Sequence, residues 1–342
     1  MAIIDADAHV LESEHTWDYM LDSERDFRPK IVSTPNDADS GGESWLVDGR
    51  LHGKARNVGG DTPRESREMA DIAARIRHMD QLGVDVQVLY PTIFLRPFTR
   101  RPEIELALAR SYNRWLADIW KSAPDRLRWV AVLPLLTMDK ALEELRWSRE
   151  NGACGIFVRG LEGDKQLTDP YFYPLYEEAS RLDLPVCVHS ATGSFAVHDF
   201  FDPDSGFNKF KLAVVGSFHS VLFYGIPQRF PRLKIAFIEV SAQWVPYVLH
   251  DIARRWQRRG GKTLSKDVLR ENRLYVACQT DDDLSYVLKY AGPDNLVIGS
   301  DYGHADTASE LDALRNLKQS GEVDGRVIDK ILGDNPRALY GL

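Results

Sequence analysis

Eight short apolar runs recur along the whole chain, and they constrain its fold more than any other feature. Each run is rich in β-branched residues and nearly continuously apolar, as expected of a parallel strand that is covered on both faces. Amphipathic segments long enough to form crossover helices separate the runs. The runs are Ala2–Ile4, Val84–Tyr90, Trp129–Leu133, Gly155–Val158, Pro185–His189, Lys234–Glu239, Arg273–Cys278 and Asn295–Ser300.

This alternation predicts an α/β fold, a distorted (β/α)₈ TIM barrel. Closing eight β/α units removes both sheet edges, and no GxGxxG or Walker-type glycine pattern follows the first run, as an open doubly wound sheet would favour. With 342 residues, 44% of them hydrophobic, the chain suits one elaborated barrel domain over residues 1–342. The expected helices are Arg64–Leu82, Glu103–Ser122, Lys140–Asn151, Tyr171–Leu182, Lys209–Phe223, Trp244–Arg258 and Asp282–Tyr290.

Two connections are longer than a barrel requires. An insertion over residues 10–63 follows the first run, and its segment 43–53 predicts a hairpin that turns at Asp48-Gly49. An aromatic loop over residues 190–208, which contains Phe195, Phe200, Phe201 and Phe207, follows the fifth run. Both leave the C-terminal ends of strands, where barrel active sites are built, so we expect them to be lids; the alternative is decoration that does not contact substrate.

Composition excludes several classes of partner. A formal net charge of −8 opposes binding to nucleic acid or to an anionic membrane surface, so we expect a small-molecule substrate. No segment approaches the roughly 20 apolar residues of a membrane span, and the N-terminus lacks the pattern of a signal peptide. The three cysteines lie in or beside apolar runs and are too few for a disulfide framework. These features predict a cytoplasmic protein with buried, reduced thiols.

Residues able to bind a metal ion follow several of the runs. Asp7 and His9 stand two residues apart, so in an extended segment both side chains point to the same side. His189 ends the fifth run and Asp301 follows the eighth. Because the C-terminal ends of barrel strands meet at one rim, Asp7, His9, His189 and Asp301 are predicted to hold one divalent ion. Imidazole and carboxylate ligands suit zinc best, with manganese or iron as alternatives.

The sequence resembles the amidohydrolase superfamily, in particular the branch similar to aminocarboxymuconate-semialdehyde decarboxylase. The resemblance rests on segments 4–10 (IDADAHV), 188–190 (VHS), 225–246 and 299–304 (GSDYGH), which extend over nearly the whole chain. It implies a distorted barrel with one divalent ion, usually zinc, and a metal-bound water. It also makes homodimerisation an expectation.

Matched to this family, Asp7 and His9 take the place of its HxH motif, His189 of its strand-five ligand and Asp301 of its strand-eight ligand. Asp7 replaces the first histidine, which makes manganese a better candidate than it would otherwise be. Glu239 stands where related decarboxylases have a histidine that acts as acid and base. Glu239 is therefore expected either to act as a general base or to bind the metal.

Three residues are candidates for proton transfer: Asp301, Glu239 and His304. For His304 the alternative is a loop histidine that caps a helix over Thr307–Glu310. Substrate-binding candidates are Arg159, which could instead form a salt bridge, His219, which could instead be a core histidine, and His198 in the aromatic loop. The remaining histidines, His15, His52, His78 and His250, are expected to be surface or packing residues.

Three functions are compatible with these residues. The preferred one is hydrolysis, in which a metal-activated water attacks the carbonyl carbon of a small aromatic or conjugated substrate. The first alternative is non-oxidative decarboxylation of an aromatic or dienoic acid, and the second is a catalytically inactive binding barrel. Two carboxylates near the ion favour hydrolysis, whereas the family resemblance favours decarboxylation.

Overall fold

A parallel sheet of eight strands forms the centre of the molecule. The computed structural model describes residues 1–33, 42–54, 57–201, 206–261 and 263–342. The strands neighbour one another in chain order, and helices lie between successive strands, as the sequence predicts for a (β/α)₈ barrel. The eight strands are β1 (Ile4–His9), β5 (Val86–Tyr90), β6 (Leu127–Val132), β7 (Ala153–Arg159), β10 (Val186–His189), β11 (Ile235–Ile238), β12 (Leu274–Cys278) and β13 (Leu296–Ile298).

The sheet closes between β1 and the segment that follows β13. The backbone N–H of Asp301 donates to the carbonyl of Asp7 at 3.0 Å, and the N–H of His9 donates to the carbonyl of Tyr302 at 2.9 Å. Gly299 permits this approach, since a Cβ at that position would lie 2.3 Å from the Cβ of Asp7. Closure therefore brings the first and last strands together at the predicted metal ligands.

The first strand begins and ends later than the apolar run Ala2–Ile4 predicts. It covers Ile4–His9, and every residue in it is buried, including the ionisable Asp5, Asp7 and His9. The prediction was wrong because charged residues inside a run are normally taken as its end, whereas here they point into a functional interior. The other seven strands overlap their predicted runs and differ only at the ends.

Helices cover the outside of the sheet. At the start of α2 (Ile72–Leu82), Asp71 accepts a hydrogen bond from the N–H of Ala74, and Gly83 ends this helix in a left-handed conformation. The helices are α1 (Arg64–Arg67), α2 (Ile72–Leu82), α3 (Pro102–Ser122), α4 (Met138–Glu150), α5 (Tyr173–Leu182), α6 (Phe195–Phe200), α7 (Leu212–Phe223), α8 (Ile226–Arg229), α9 (Val245–Arg258), α10 (Val268–Glu271), α11 (Leu284–Ala291), α12 (Ala313–Gln319), α13 (Gly325–Asp329) and α14 (Asn335–Tyr340).

Two helix predictions were wrong. Residues 64–82 form two helices rather than one, because Met69 takes a positive φ of 56° and Asp71 caps a new helix. Residues Thr307–Glu310 are not helical. There, the Asp306 carboxylate accepts the N–H of Ala308 at 2.7 Å, a local side-chain bond that competes with helix formation.

The insertion carries a small antiparallel sheet of its own. It consists of β2 (Lys30–Ser33), β3 (Glu43–Val47) and β4 (Arg50–Gly53), in the order β2-β3-β4. Strands β3 and β4 form a hairpin with Val47 opposite Arg50, so the turn is at Asp48-Gly49 as predicted. Residues 34–41 and 55–56 of the insertion lie outside the described residues. A further two-stranded ribbon, β8 (Leu161–Glu162) and β9 (Lys165–Gln166), follows β7.

The aromatic loop after β10 contains structure that the sequence did not predict. Ser194 caps α6, and a π-helical turn over Phe207–Lys211 leads into α7; residues 202–205 lie outside the described part. Phe195 is buried between the guanidinium groups of Arg50 and Arg100, which lie 4.6 and 4.5 Å from its ring centre. Through Phe195 the aromatic loop packs on β4 of the insertion.

The three cysteines are buried and form no disulfide, as predicted. They are Cys154, Cys187 and Cys278, and burial raises the pKa of each thiol. Within the described ranges, no helix combines the length and the apolar character needed to cross a bilayer.

Candidate metal centre and active site

Strands β1 and β10 bring two imidazoles and a carboxylate together at the C-terminal end of the sheet. The Nε2 atoms of His9 and His189 are 3.2 Å apart. Asp7 Oδ1 lies 3.3 Å from His189 Nε2 and 3.5 Å from His9 Nε2. All three side chains are almost fully buried. The predicted juxtaposition of Asp7, His9 and His189 is therefore present.

Two further carboxylates complete the cluster from β11 and β13. Glu239 Oε2 lies 3.3 Å from His189 Nε2, and Asp301 Oδ1 lies 3.4 Å from His9 Nε2. The candidate ligand atoms form two overlapping groups, each with all its atoms within 4.8 Å of one another. One group is Asp7, His9, His189 and Glu239, and the other is His9, Glu239, Asp301 and His304.

The backbone is strained where these carboxylates stand. Glu239 and Asp301 have positive φ values of 61° and 51°, a left-handed conformation that costs a non-glycine residue on the order of 1–2 kcal/mol. Glu239 follows directly on β11, and Asp301 follows β13 after Gly299 and Ser300. Both strands are short and buried. Strain of this kind concentrates at functional sites, and here it accompanies the placement of two acids beside the imidazoles.

The donor set fits a divalent cation. His9 Nδ1 lies 2.9 Å from the carbonyl oxygen of Pro91, which accepts only if Nδ1 carries the proton, so a neutral His9 presents the lone pair of Nε2 to the cluster. Among the described residues, Glu239 Oε2 and His189 Nδ1 are buried without a hydrogen-bond partner. A buried, unpaired carboxylate oxygen is costly, and a cation between these groups would satisfy it.

The surroundings of Asp7 and Glu239 shift the pKa values of these two acids in opposite directions. Burial would raise the pKa of Asp7, but the neighbouring His189 and His9 hold it well below its usual range. Burial raises the pKa of Glu239 far above its usual range, and Asp301 raises it further. Burial lowers the pKa of His9 to about 4, consistent with a neutral imidazole. A divalent ion would reverse the penalty on Glu239 by supplying the positive charge that the cluster lacks.

His304 forms a proton-bearing pair with Asp301. Its Nδ1 lies 2.8 Å from Asp301 Oδ1, and its Nε2 lies 3.0 Å from the hydroxyl oxygen of Thr92. That hydroxyl donates to the carbonyl of Val10, so its oxygen accepts from His304. Burial would lower the pKa of His304, but Asp301 raises it above the usual value. His304 therefore does not cap a helix; it holds a proton beside Asp301.

A buried chain of side chains behind the cluster was not predicted. Arg75 donates to the carbonyl of His9 and, through Nε, to Gln87 Oε1 at 2.7 Å. Gln87 Nε2 donates to Asp5 Oδ2 at 3.0 Å, and Asp5 in turn accepts from Ser300. Arg75, Gln87 and Asp5 are fully buried. A carboxylate inside the first apolar strand was the one available signal, since buried acids need partners.

The cavity at the cluster is walled by the insertion. Its lining includes Glu239 and His304 from the cluster, and Trp45 and His52 from the β3–β4 hairpin. His52 was expected to be a surface or packing residue; it is buried and lines this cavity, and its Nε2 has no hydrogen-bond partner among the described residues. Its place on the cavity depends on how the insertion folds over the barrel, which no local pattern indicates.

The three predicted substrate-binding residues lie outside the lining of the cavity at the cluster. Arg159 pairs with Glu162 at 2.5 Å and lines a separate cavity of about 320 Å³. His219 Nε2 lies 3.2 Å from Asp251 and its ring stacks on Phe223. His198 Nδ1 lies 3.3 Å from its neighbour Asp199. None of the three is among the residues that line the cavity at the cluster.

A closed barrel whose strand ends gather two imidazoles and three carboxylates has the architecture of a metal-dependent enzyme. Comparison with known proteins places it more narrowly. The model of the amidohydrolase family named Amidohydro_2 matches residues 4–342, so the chain belongs to the amidohydrolase family. It is an enzyme of that superfamily, a metal-dependent hydrolase or carboxy-lyase.

Two curated relatives are decarboxylases. The chain is 23% identical over 281 residues to 2-amino-3-carboxymuconate-6-semialdehyde decarboxylase of Dictyostelium discoideum, covering 80% of this chain and 77% of that protein. It is 33% identical over 159 residues to gamma-resorcylate decarboxylase of Rhizobium sp. (strain MTP-10005), covering 43% of this chain and 48% of the relative.

Solved structures share the fold. An amidohydrolase from Mycobacterium avium subsp. paratuberculosis K-10 superposes with a TM-score of 0.77 at 19% identity, covering 100% of this chain and 98% of that one. A dihydroxybenzoic acid decarboxylase from Polaromonas sp. JS666, solved with bound manganese and the inhibitor 2-nitroresorcinol, superposes with a TM-score of 0.67 at 19% identity, covering 100% and 97%.

Proposed function

We propose that this enzyme is a metal-dependent, non-oxidative decarboxylase of a planar aromatic or dienoic acid. The sequence alone favoured hydrolysis, because two carboxylates were expected beside the ion. The decarboxylase relatives favour the alternative, and so does the pairing of Asp301 with a proton-bearing His304, which is the observation that carries the proposal. Decarboxylation needs a proton delivered to carbon, and this pair can hold one at the cavity wall.

Asp7, His9, His189 and Glu239 would hold the ion, and Asp301 belongs to the overlapping group with His9, Glu239 and His304. When bound, the ion would supply a Lewis acid that polarises the carboxylate and an adjacent oxygen of the substrate. The oxygen-rich donor set suits manganese as well as zinc. Iron is a third alternative. Homodimerisation and a cytoplasmic location stay predictions from the sequence.

Asp301 would act as the acid. Its Oδ1 faces His304, and its Oδ2 accepts from the hydroxyl of Ser309 at 2.5 Å, so the carboxyl group is fixed in orientation. In the reaction the bond between the ring or chain carbon and the carboxylate carbon breaks, and carbon dioxide leaves. The electron pair stays on the substrate carbon and takes the proton that His304 passes on through Asp301, which leaves His304 neutral until it regains a proton from solvent.

The cavity wall suits a flat, partly apolar substrate. Trp45 and Phe210 contribute aromatic surface, and Ile93 and Leu95 contribute aliphatic surface. Such walls exclude water from the carbanion-like centre, which favours protonation by the fixed acid over competing reactions.

Incubation of manganese-loaded and zinc-loaded enzyme with a panel of hydroxybenzoates, dienoic acids and lactones in deuterated water tests the proposal. We expect carbon dioxide release from at least one acid, with one deuterium on the carbon that lost the carboxylate. A product that has taken up water without release of carbon dioxide would overturn decarboxylation and restore hydrolysis.

A further inference from the structure

Glu12 is a buried carboxylate at the metal cluster that the proposed reaction does not use. Only 3% of its surface is exposed, and it lines the cavity at the cluster. Its Oε1 accepts the backbone N–H of Thr92 at 3.0 Å, and its Oε2 accepts the backbone N–H of Ile93 at 3.0 Å. A glutamine would offer these two donors only one acceptor oxygen, so an ionised acid is needed to satisfy both.

The hydrogen bond to Thr92 reaches a predicted metal ligand through one peptide group. The N–H of Thr92 and the carbonyl of Pro91 belong to the same planar peptide unit and point in opposite directions. That carbonyl accepts from His9 Nδ1 at 2.9 Å. Glu12 therefore fixes the plane of the group that orients the His9 ring, and its negative charge polarises that group so that the carbonyl oxygen is a stronger acceptor. A stronger acceptor at Nδ1 raises the basicity of Nε2, the atom that faces the cluster.

The same turn also holds His304. The hydroxyl of Thr92 donates to the carbonyl of Val10 at 2.8 Å and accepts from His304 Nε2 at 3.0 Å. On its other side His304 pairs with Asp301, through which its proton would pass in the proposed function. Because the backbone N–H of Thr92 is fastened by Glu12, the position of its hydroxyl depends on that carboxylate.

We infer that Glu12 is a positioning residue for both imidazoles. Through the Pro91–Thr92 peptide group it strengthens His9 as a metal ligand. Through the Thr92 hydroxyl it holds His304 beside Asp301. The link to His304 rests on the proposed function, whereas the link to His9 requires only that the cluster binds a divalent ion. Glu12 itself transfers no proton.

The manganese affinity of Glu12→Gln, measured by competition with a chelating dye, tests the link to His9 without turnover. A pH of about 8 keeps most of the wild-type carboxylate ionised, since burial raises the pKa of Glu12 to about 7. We expect the dissociation constant to rise about tenfold, the lower end of the range for changes behind a metal ligand. Glu105→Gln is the matched control, because it alters a buried acid that also accepts a backbone N–H, that of Leu136 at 2.7 Å, and lines a different cavity. Equal affinities for the two variants would overturn the inference.

Two variants of Thr92 test the link to His304, and they serve also where Glu12→Gln folds poorly. Thr92→Val removes the hydroxyl but keeps the N–H that Glu12 accepts. It should bind manganese as the wild type does, while kcat falls about 100-fold, as misplacement of a catalytic group by 1 Å allows. Thr92→Ser keeps a hydroxyl and should recover most of kcat. Equal kcat values for the two Thr92 variants would overturn the inference, as would a manganese affinity in Thr92→Val as low as that of Glu12→Gln.

Failure of the proposed reaction would be seen separately. If none of the tested acids loses carbon dioxide, decarboxylation is overturned, and the manganese affinities of Glu12→Gln and Glu105→Gln still decide whether Glu12 positions His9.

Discussion

Ser300 donates two hydrogen bonds to the carboxylate of Asp5, one from its backbone N–H at 2.9 Å and one from its hydroxyl at 2.6 Å. Asp5 stands two residues before Asp7 on β1, and Ser300 immediately precedes Asp301. The pair therefore fastens together the two strand ends that carry candidate ligands from opposite ends of the sequence. Burial raises the pKa of Asp5 to about 6 despite these bonds, as expected of an acid with no direct cationic partner.

Replacing Ser300 by alanine should weaken metal binding while the barrel stays folded. Loss of the hydroxyl leaves one Asp5 oxygen with Gln87 alone, and outer-shell changes of this kind typically lower metal affinity about 10- to 100-fold. Competition with a chelating dye measures the manganese dissociation constant. Ser180→Ala, which removes a hydroxyl bonded to a carbonyl in α5, is the control; equal affinities for the two variants would contradict the role of Ser300.

Asp301→Asn should lower kcat by about 10²- to 10⁴-fold, the range typical of losing a general acid. Far-ultraviolet circular dichroism should be unchanged, because the amide keeps the size of the carboxylate and its oxygen can still accept from one of the two partners, Ser309 or His304. Asp251→Asn breaks an Asp–His pair outside the cavity lining and should leave kcat unaltered. Activity of the Asp301 variant near that of the control would remove Asp301 from the mechanism.

The fold could be predicted because each strand is short, β-branched and covered on both faces. Elements whose ends depend on hydrogen-bond partners far away in the sequence could not be predicted. Strand β1 extends to His9 because Ser300 and Gln87 satisfy Asp5 inside the barrel, which a reading of local hydrophobicity cannot anticipate. The break at Met69 likewise depends on one backbone conformation and not on a change in pattern.

The residues of the site that stand at the ends of strands could be predicted from the sequence. Asp7, His9, His189, Glu239 and Asp301 converge because parallel strands in a barrel end at one rim. His304 was a candidate because it stands three residues after Asp301, but the sequence left a helix cap as the alternative. His52 was missed because only the folded insertion brings it to the cavity. Roles that depend on loops therefore require the structure.

Glu105 should make stability fall as pH rises between about 4.5 and 7. Burial raises the pKa of this carboxyl in the folded protein to about 7, from an ordinary 4.5. Between those values the folded protein keeps a proton that the unfolded chain loses, so the free energy of unfolding declines with rising pH. The decline from this residue is on the order of 3 kcal/mol.

Urea unfolding of wild type and Glu105→Gln across this pH range measures the effect. The variant should lack this part of the decline, because the amide oxygen can still accept from the N–H of Leu136. Glu143→Gln alters an exposed ion pair with Lys140 and should follow the wild-type curve. Parallel curves for wild type and the Glu105 variant would refute the assignment.

We expect that the β3–β4 hairpin must move before a substrate can enter the cavity at the cluster. The cavity at the cluster measures about 50 Å³, well below the roughly 300–1,000 Å³ of typical ligand pockets. Thr99, in the loop between β5 and α3, donates to Asp48 in the hairpin turn at 2.6 Å. Cysteines at both positions should form a disulfide that keeps the hairpin closed and abolishes turnover.

A reducing agent should restore activity to the double variant Asp48→Cys/Thr99→Cys, and each single variant should be unaffected by oxidation. The native cysteines are buried and should not interfere. Full activity of the oxidised, cross-linked protein would show that the insertion is not a lid.

Anomalous diffraction at the manganese edge, from crystals of the manganese-loaded enzyme, tests the central claim most directly. The account predicts one peak per chain within ligand distance of Asp7, His9 and His189, with a carboxylate oxygen of Glu239 or Asp301 completing the coordination. A fully loaded crystal with no peak among these side chains, or with its only peak elsewhere, would contradict the account.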